Sequence, residues 1–335
     1  MRAIRFLRPN EVAFQDLPDP TPGSGELLCR AKRSMVSTGT ETFCLAGEFD
    51  LGTNWASWVS YPFAPGYSMV AEVVALGDGV TGFSVGDRVA VAAPHQELVV
   101  VAADSATVLP AGVSDEEGCW IPLACTTQWG VRRADLELGA AVAVVGLGLL
   151  GQLTVRYLRL AGARRIVAID TDPIRLDLAR RGGATHLVQK LAGDAEAEVR
   201  AANDGELLDA VFDITGHPAA FAAASTLLRP LGKVVLVGDS PQPSSQHLGP
   251  RTVSDGLTII GVHTNTAPAA ATLSDRWTQD AMGRLFLDYV LDGRMQVEAL
   301  RTHEFSPAAA VEVYDELVTD RRGHLGVFFD WESLV

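Results

Sequence analysis

Two periods run along the chain. Between about residue 119 and residue 265, short apolar runs alternate with helical patterns: Ala141–Val145, Arg165–Ile169, His186–Gln189, Ala210–Ile214, Lys233–Val237 and Thr258–Val262. A continuous apolar run bounded by turns marks a strand buried on both faces. Six of them separated by helices predict an α/β fold with a doubly wound parallel sheet. Residues 1–118 follow another rule. Segments such as Glu26–Lys32 and Met69–Leu76 alternate apolar with polar residues between Gly, Pro and Asp turns, the pattern of a mostly antiparallel β domain, and Gly82–Val89 reads as a loop feeding a strand. Beyond the parallel strands, helices are expected near Asp280–Leu291 and Pro307–Thr319, with a closing strand at Leu325–Phe329 that returns to the first domain. The expected division is 1–118 with 268–335 as one domain and 119–267 as the other.

The first apolar strand runs straight into Gly146-Leu147-Gly148-Leu149-Leu150-Gly151. In this G-x-G-x-x-G spacing the first glycine allows a tight turn, the second lets backbone approach a pyrophosphate and the third lets helix pack on strand. Leu149–Ala161 reads as the helix, so the amides of Leu149 and Leu150 and the positive dipole end face the ligand. The spacing alone also fits a plain strand-turn-helix; its context decides. The next strand ends in Asp170, 19 positions after Gly151, where an acidic side chain holds the adenosine ribose hydroxyls. A carboxylate about 4 Å from a 2′-phosphate costs roughly 4 kcal/mol at an effective dielectric near 20, so NAD is expected over NADP. Asp172 reads as a helix N-cap before Pro173. Arg175 pulls the other way, since an arginine shortly after this strand can receive a 2′-phosphate.

Composition narrows the class. With 335 residues, 47% of them apolar, the chain can bury one large or two ordinary cores. Its formal charge of −14 argues against nucleic acid and anionic membranes as partners. Neither a signal-peptide core nor an 18-residue apolar span is present, so a cytoplasmic protein acting on a small molecule is expected. Cys29, Cys44, Cys119 and Cys125 are scattered without a C-x-x-C pair and read as core residues in a reducing compartment.

The order of motifs, Gly86-Asp-Arg-Val89, Gly146-Leu-Gly-Leu-Leu-Gly151, Gly232-Lys-Val-Val-Leu-Val-Gly238 and Thr302-His-Glu-Phe-Ser-Pro-Ala-Ala-Ala310, resembles the medium-chain dehydrogenase/reductase superfamily over essentially the whole chain. The resemblance implies a GroES-like catalytic domain beside a Rossmann domain. Ser37-Thr-Gly-Thr-Glu41 and Pro65-Gly-Tyr67 resemble, more narrowly, the branch containing bacteriochlorophyllide a dehydrogenase. Matched to the zinc-ligand segments of the alcohol dehydrogenases, these stretches place Thr38 and Tyr67 in the first two ligand slots. Leu123 takes the third, or Cys125 after a small shift. Thr38, Tyr67 and Leu123 are poor zinc ligands, and the four-cysteine lobe after Gly86–Val89 is missing, so no zinc is expected.

Without a metal, a side chain must handle the hydroxyl proton. Tyr67 is the first candidate for the substrate oxygen; its other reading is a packed tyrosine with its hydroxyl satisfied. Thr38 and Thr40 are candidates for a proton path with Glu41 as anchor, or serve structure. His95 is the nearest imidazole and a candidate general base, or a structural histidine. His217 and His247 fall on loops after strands without a nameable partner. Trp55, Trp58, Tyr61 and Phe63 either wall an apolar pocket or cover the core. The resemblance also implies that Thr215, Val237, Gly238 and His263 line the nicotinamide, with Ser240 and Thr264 less firmly assigned, and that Thr258–Val262 builds a homodimer or homotetramer. The expected activity is zinc-independent hydride transfer between NAD(H) and a secondary alcohol or ketone, such as a sugar, cyclitol or biosynthetic intermediate. The alternatives are an NAD(P)H-dependent enone or quinone reductase and a non-catalytic nucleotide-binding paralogue.

Overall fold

Every residue of Ala141–Val145 is buried, which a strand achieves when helices cover both faces of its sheet. The structure, a computed structural model describing residues 1–334, separates into two units: Met1–Pro122 with Gly283–Val335, and Leu123–Met282. In the second unit six parallel strands lie in the spatial order His186–Val188, Arg165–Ile169, Ala141–Val145, Leu208–Asp213, Leu228–Leu236, Thr258–Gly261. The chain winds outward from Ala141–Val145 in one direction, then restarts beside it in the other. That reversal opens a crevice at the carboxyl ends of Ala141–Val145 and Leu208–Asp213, where open α/β sheets bind ligands.

The fourth and fifth strands begin before the expected Ala210 and Lys233. Leu208 pairs with Leu228 ahead of a register shift, and Leu231 turns at φ +63°, so Pro230, Gly232 and Lys233 hide a strand that their composition does not suggest. At the other end the strands stop at Asp213 and Leu236, one residue short of the expected Ile214 and Val237. There the chain turns into the crevice, and the amides of Val237 and Gly238 both donate to the Asp213 carbonyl.

The first unit is built around Glu26–Val36. It pairs antiparallel with Met69–Leu76 along one edge and, along the other, with Leu98–Ala102 and then Gly326–Asp330. Arg88–Val91 follows the Gly82–Asp87 loop and extends the sheet beyond Met69–Leu76. The last strand brings the C-terminal segment into the core through Val327, Phe328 and Phe329, all fully buried.

The second unit closes at Met282, not at the expected 267. Polar bonds hold the intervening segment to the helix Ile121–Arg133: Trp129 Nε1 donates to Thr266 Oγ1 at 3.0 Å, Gln128 Nε2 to the Met282 carbonyl at 3.1 Å, and the Cys125 thiol to the Gln279 carbonyl at 3.4 Å. No helix among the described residues is long and apolar enough to cross a membrane.

An ionic cluster ties the C-terminal segment to the rest of the first unit. The Arg33 guanidinium meets Glu116, Glu304, Asp330 and Glu332 at 2.5 to 3.3 Å, with only 16% of its side chain exposed. Removing it leaves four carboxylates to be balanced by Arg301, beside Glu116 and Glu304, and Lys32, beside Glu332, in a chain that is already acidic. Arg33→Met is therefore expected to lower stability by about 2–3 kcal/mol at low salt. The loss shrinks in 1 M salt as the repulsion is screened, and denaturant unfolding at the two salt concentrations measures both.

Candidate functional site

Steric necessity explains the glycines of the turn. Gly146 sits at φ +86°, and a Cβ there would lie 2.7 Å from Thr215 Cγ2; a Cβ on Gly151 would lie 2.1 Å from the Gly146 carbonyl oxygen. Gly148 differs: nothing lies within 4 Å of where its Cβ would be. It caps the helix Leu149–Leu160 with no side-chain bond, so the first amides, those of Leu149 and Leu150 included, look out on an open cradle.

Asp170 is fixed against this turn. Its Oδ2 accepts the Leu147 N–H at 2.7 Å and its Oδ1 the Asp172 N–H at 2.9 Å, leaving one lone pair on each oxygen for a ribose diol. Asp172 caps the helix Pro173–Gly182, accepting from Ile174 N–H at 2.8 Å, and its other oxygen faces Arg175 Nε at 3.5 Å.

Across the crevice stands a carboxylate that the sequence reading overlooked. Asp213, 1% exposed, accepts both the Thr215 N–H and the Thr215 hydroxyl on Oδ1, at 2.9 and 2.7 Å. Burial lifts its carboxyl above the ordinary carboxylate range, against the lowering effect of the two Thr215 bonds. Thr215, Val237 and Gly238 thus converge with Gly146 at neighbouring strand ends. The signal was an acid closing an apolar strand in Asp213-Ile214-Thr215-Gly216. His263 and His217 use Nδ1 to cap the turns that follow them, accepting from Asn265 N–H and Ala219 N–H.

In the first unit, Tyr67 donates its hydroxyl to Ser37 Oγ at 2.6 Å and lies 3.5 Å from Thr40 Oγ1. Burial pushes the phenol up to about 12, with the hydrogen bonds to Ser37 and Thr40 opposing and the nearby Glu41 charge adding to the rise. Ser37 was missed: it stands at the N-cap position of the helix Thr38–Ala46, where a serine reads as a cap, yet its hydroxyl makes no cap bond and meets Tyr67 instead.

Glu41 and His95 turn inward. Glu41 Oε1 accepts the Ser37 N–H at 2.7 Å, and Oε2 accepts the Tyr314 hydroxyl and His95 Nε2, the latter at 3.1 Å. His95 Nδ1 meets Ser34 Oγ at 2.7 Å, and Ser34 Oγ also accepts Trp331 Nε1–H at 2.8 Å. Because the carboxylate already serves as acceptor, the imidazole hydrogen belongs on Nε2 and Ser34 donates to Nδ1. The expectation of His95 as a general base is corrected on this ground. Its ring is 0% exposed and both nitrogens are engaged within the core. Gly66 is shaped by the same ring, since a Cβ there would lie 2.8 Å from it. Nor does Glu41 anchor a path from Thr38 and Thr40: its bonds run to Ser37, Tyr314 and His95, and the Thr38 carbonyl receives Thr42 Oγ1 at 2.8 Å.

Of the two readings for the aromatic insertion, the structure favours core cover. Trp55 stacks on Phe49 with centroids 5.8 Å apart, Trp58 meets Phe63 edge-on at 5.3 Å, and Trp55 and Phe63 belong to the buried cluster. Tyr61 donates to the Cys44 carbonyl at 2.6 Å. All four cysteines are free and buried; burial pushes the Cys125 thiol up to about 12.

A buried carboxylate with several donors is costly to break from either side. Glu41→Ala and His95→Ala should each destabilise the protein by about 2–4 kcal/mol. The double variant should lose less than the sum, because the two residues share one bond. Chemical denaturation of the three variants measures this; wild-type stability in His95→Ala would contradict the structural role.

Residues 24–122 match the family model described as Alcohol dehydrogenase GroES-like domain, and residues 150–282 the one described as Zinc-binding dehydrogenase. The chain is 25% identical over 301 residues to a sorbitol dehydrogenase of Bacillus subtilis, covering 80% of this chain and 84% of that one. Its fold is similar to that of 2R,3R-butanediol dehydrogenase from Bacillus subtilis, with a TM-score of 0.79 at 20% identity over 98% of this chain and 99% of the other. It is likewise similar to a short chain alcohol dehydrogenase from Escherichia coli CFT073 solved with NADH, at TM-score 0.80 and 21% identity over 99% of both chains. Two family models in chain order, one over the antiparallel β unit and one over the Rossmann unit from the end of its glycine turn onward, make this chain an oxidoreductase of the zinc-type alcohol dehydrogenase-like medium-chain dehydrogenase/reductase superfamily.

Proposed function

We propose that this chain interconverts a secondary alcohol and its ketone with NAD(H), using a phenol in place of a catalytic zinc. The observation that carries the reading is the Tyr67 hydroxyl held by Ser37 and near Thr40, in a slot where zinc-dependent relatives present a metal ligand. The donors do not fit zinc. Thr38 and Leu123 offer no suitable ligand atom, the Cys125 thiol is held protonated by burial and donates to a carbonyl, and Glu41 and His95 are committed to each other inside the core. Among the described residues, no group of three or more His, Cys, Asp or Glu side chains is placed to hold a metal ion.

The cradle at Gly148 fits a dinucleotide. The amides at the start of Leu149–Leu160 would receive its pyrophosphate and Asp170 its adenosine ribose, with Thr215, Val237 and Gly238 toward the nicotinamide. Bound there, the nicotinamide supplies or accepts the hydride. The side chains do the rest. In the reducing direction Tyr67 gives its phenolic proton to the carbonyl oxygen, and the Ser37 hydroxyl rotates to donate to the phenolate it leaves. In the oxidising direction the phenolate takes that proton back. Substrates are small alcohols or ketones such as polyols, in line with the sorbitol dehydrogenase relative.

Tyr67→Phe is expected to lower kcat about 100-fold or more in a nicotinamide-absorbance assay, with dinucleotide KM nearly unchanged. Turnover should persist in a chelator. Full activity in Tyr67→Phe, or chelator-abolished turnover restored by zinc, would overturn the reading. Because the phenol is pushed up to about 12, the reduction rate should show no alkaline fall through pH 10, where an ordinary phenol titrates, while the oxidation rate should climb with pH. A pH profile run in both directions measures this.

A further inference from the structure

Arg175 is the group through which a 2′-phosphate would be admitted, so its surroundings bear on which dinucleotide the site takes. It is the third residue of the helix Pro173–Gly182, which starts directly beyond the strand end carrying Asp170. A guanidinium in such a place can grip phosphate. Here it faces a carboxylate of its own chain. Arg175 Nε and Asp172 Oδ2 stand 3.5 Å apart, on side chains only 19% and 10% exposed, and neither atom touches solvent.

The Asp172 carboxylate cannot easily swing away. Its Oδ1 accepts the helix N–H groups of Ile174 and Arg175 at 2.8 and 3.5 Å, and its own N–H is bound by Asp170 at 2.9 Å. The Arg175 backbone is pinned as well, its carbonyl accepting Gln152 Nε2 at 2.8 Å from the cofactor helix. Two carboxylates therefore stand in sequence along one short segment. Asp170 presents itself to the ribose, and Asp172 sets a negative charge 3.5 Å from Nε of the cation that would welcome an extra phosphate.

Resting on the NAD reading above, we propose that Asp172 is a specificity-determining residue: an internal anion that holds Arg175 in the place of a 2′-phosphate and so excludes NADP(H). It acts through Arg175 and not by touching the cofactor. Its helix-capping role can be kept while its charge is removed, because an asparagine or serine at 172 still presents a side-chain oxygen to Ile174.

The test is calorimetric titration of the full chain with NADH and with NADPH. Asp172→Asn should tighten NADPH binding about tenfold while NADH binding stays within about twofold, as a guanidinium no longer facing the Asp172 charge meets the phosphate. The gain should vanish in Asp172→Asn with Arg175→Met. Asp172→Ser, which also caps, provides a second variant should the asparagine fold poorly. NADPH affinity unchanged in both single variants, with tightening only in Asp170→Asn, overturns the proposal and leaves the NAD reading in place. A gain that survives loss of Arg175 overturns it too. A wild-type chain that binds NADPH as tightly as NADH, or binds neither, overturns the NAD reading itself.

Discussion

A single close approach sets the geometry of the second unit: the Gly146 carbonyl oxygen lies where a side chain on residue 151 would begin, 2.1 Å from that Cβ. Only with hydrogen at that position can the helix Leu149–Leu160 lie this near the end of Ala141–Val145. Its amide end then faces the crevice at the strand reversal. The same turn donates the Leu147 N–H that fixes Asp170, and it packs against Thr215, which Asp213 holds through two hydrogen bonds. Small deviations at Gly146 or Gly151 would therefore move the ribose acid, the anion cradle and the neighbouring strand end together.

The first unit is organised by the opposite kind of constraint. There a carboxylate has been taken out of water, and it is tolerable because Ser37, Tyr314 and His95 all point donors at it. This explains an imidazole without access to solvent close to a segment that resembles a catalytic one. It also separates two functions that the residue types alone do not distinguish. Glu41 and His95 hold the helix Thr38–Ala46 in place, whereas Tyr67 touches that assembly only through Ser37 and Thr40 and keeps a proton of its own.

What was legible in the sequence is what depends on period and on local sterics. The apolar runs located the six parallel strands, the glycine spacing located the cradle, and Asp172 before Pro173 located a cap, each within a few neighbouring residues. What stayed hidden depends on partners far apart in the chain. The Tyr314 to Glu41 bond spans 273 positions and the Trp331 to Ser34 bond 297, so nothing near His95 marked it as enclosed. Asp213 was passed over because it lay inside the expected strand Ala210–Ile214, where nothing nearby shows that Thr215 folds back on it. The domain end at Met282 was missed for a related reason. Residues 264–282 carry little apolar signal and are held to the helix Ile121–Arg133 by hydrogen bonds at Thr266, Gln279 and Met282 that no periodicity announces.

The way the terminal segment enters the first unit has a consequence for how the protein comes into being on the ribosome. Ser34, Glu41 and His95 are synthesised early, but the groups that complete their bonding emerge much later, Tyr314 273 positions after Glu41 and Trp331 297 after Ser34, together with the buried strand Gly326–Asp330. The Rossmann unit has all its strands in hand well before then and can consolidate during elongation. The N-terminal sheet must instead wait, its acid and imidazole still hydrated, until the tail arrives to seal them. Removing the segment from Tyr314 to Trp331 would thus unravel the beginning of the chain while sparing its middle.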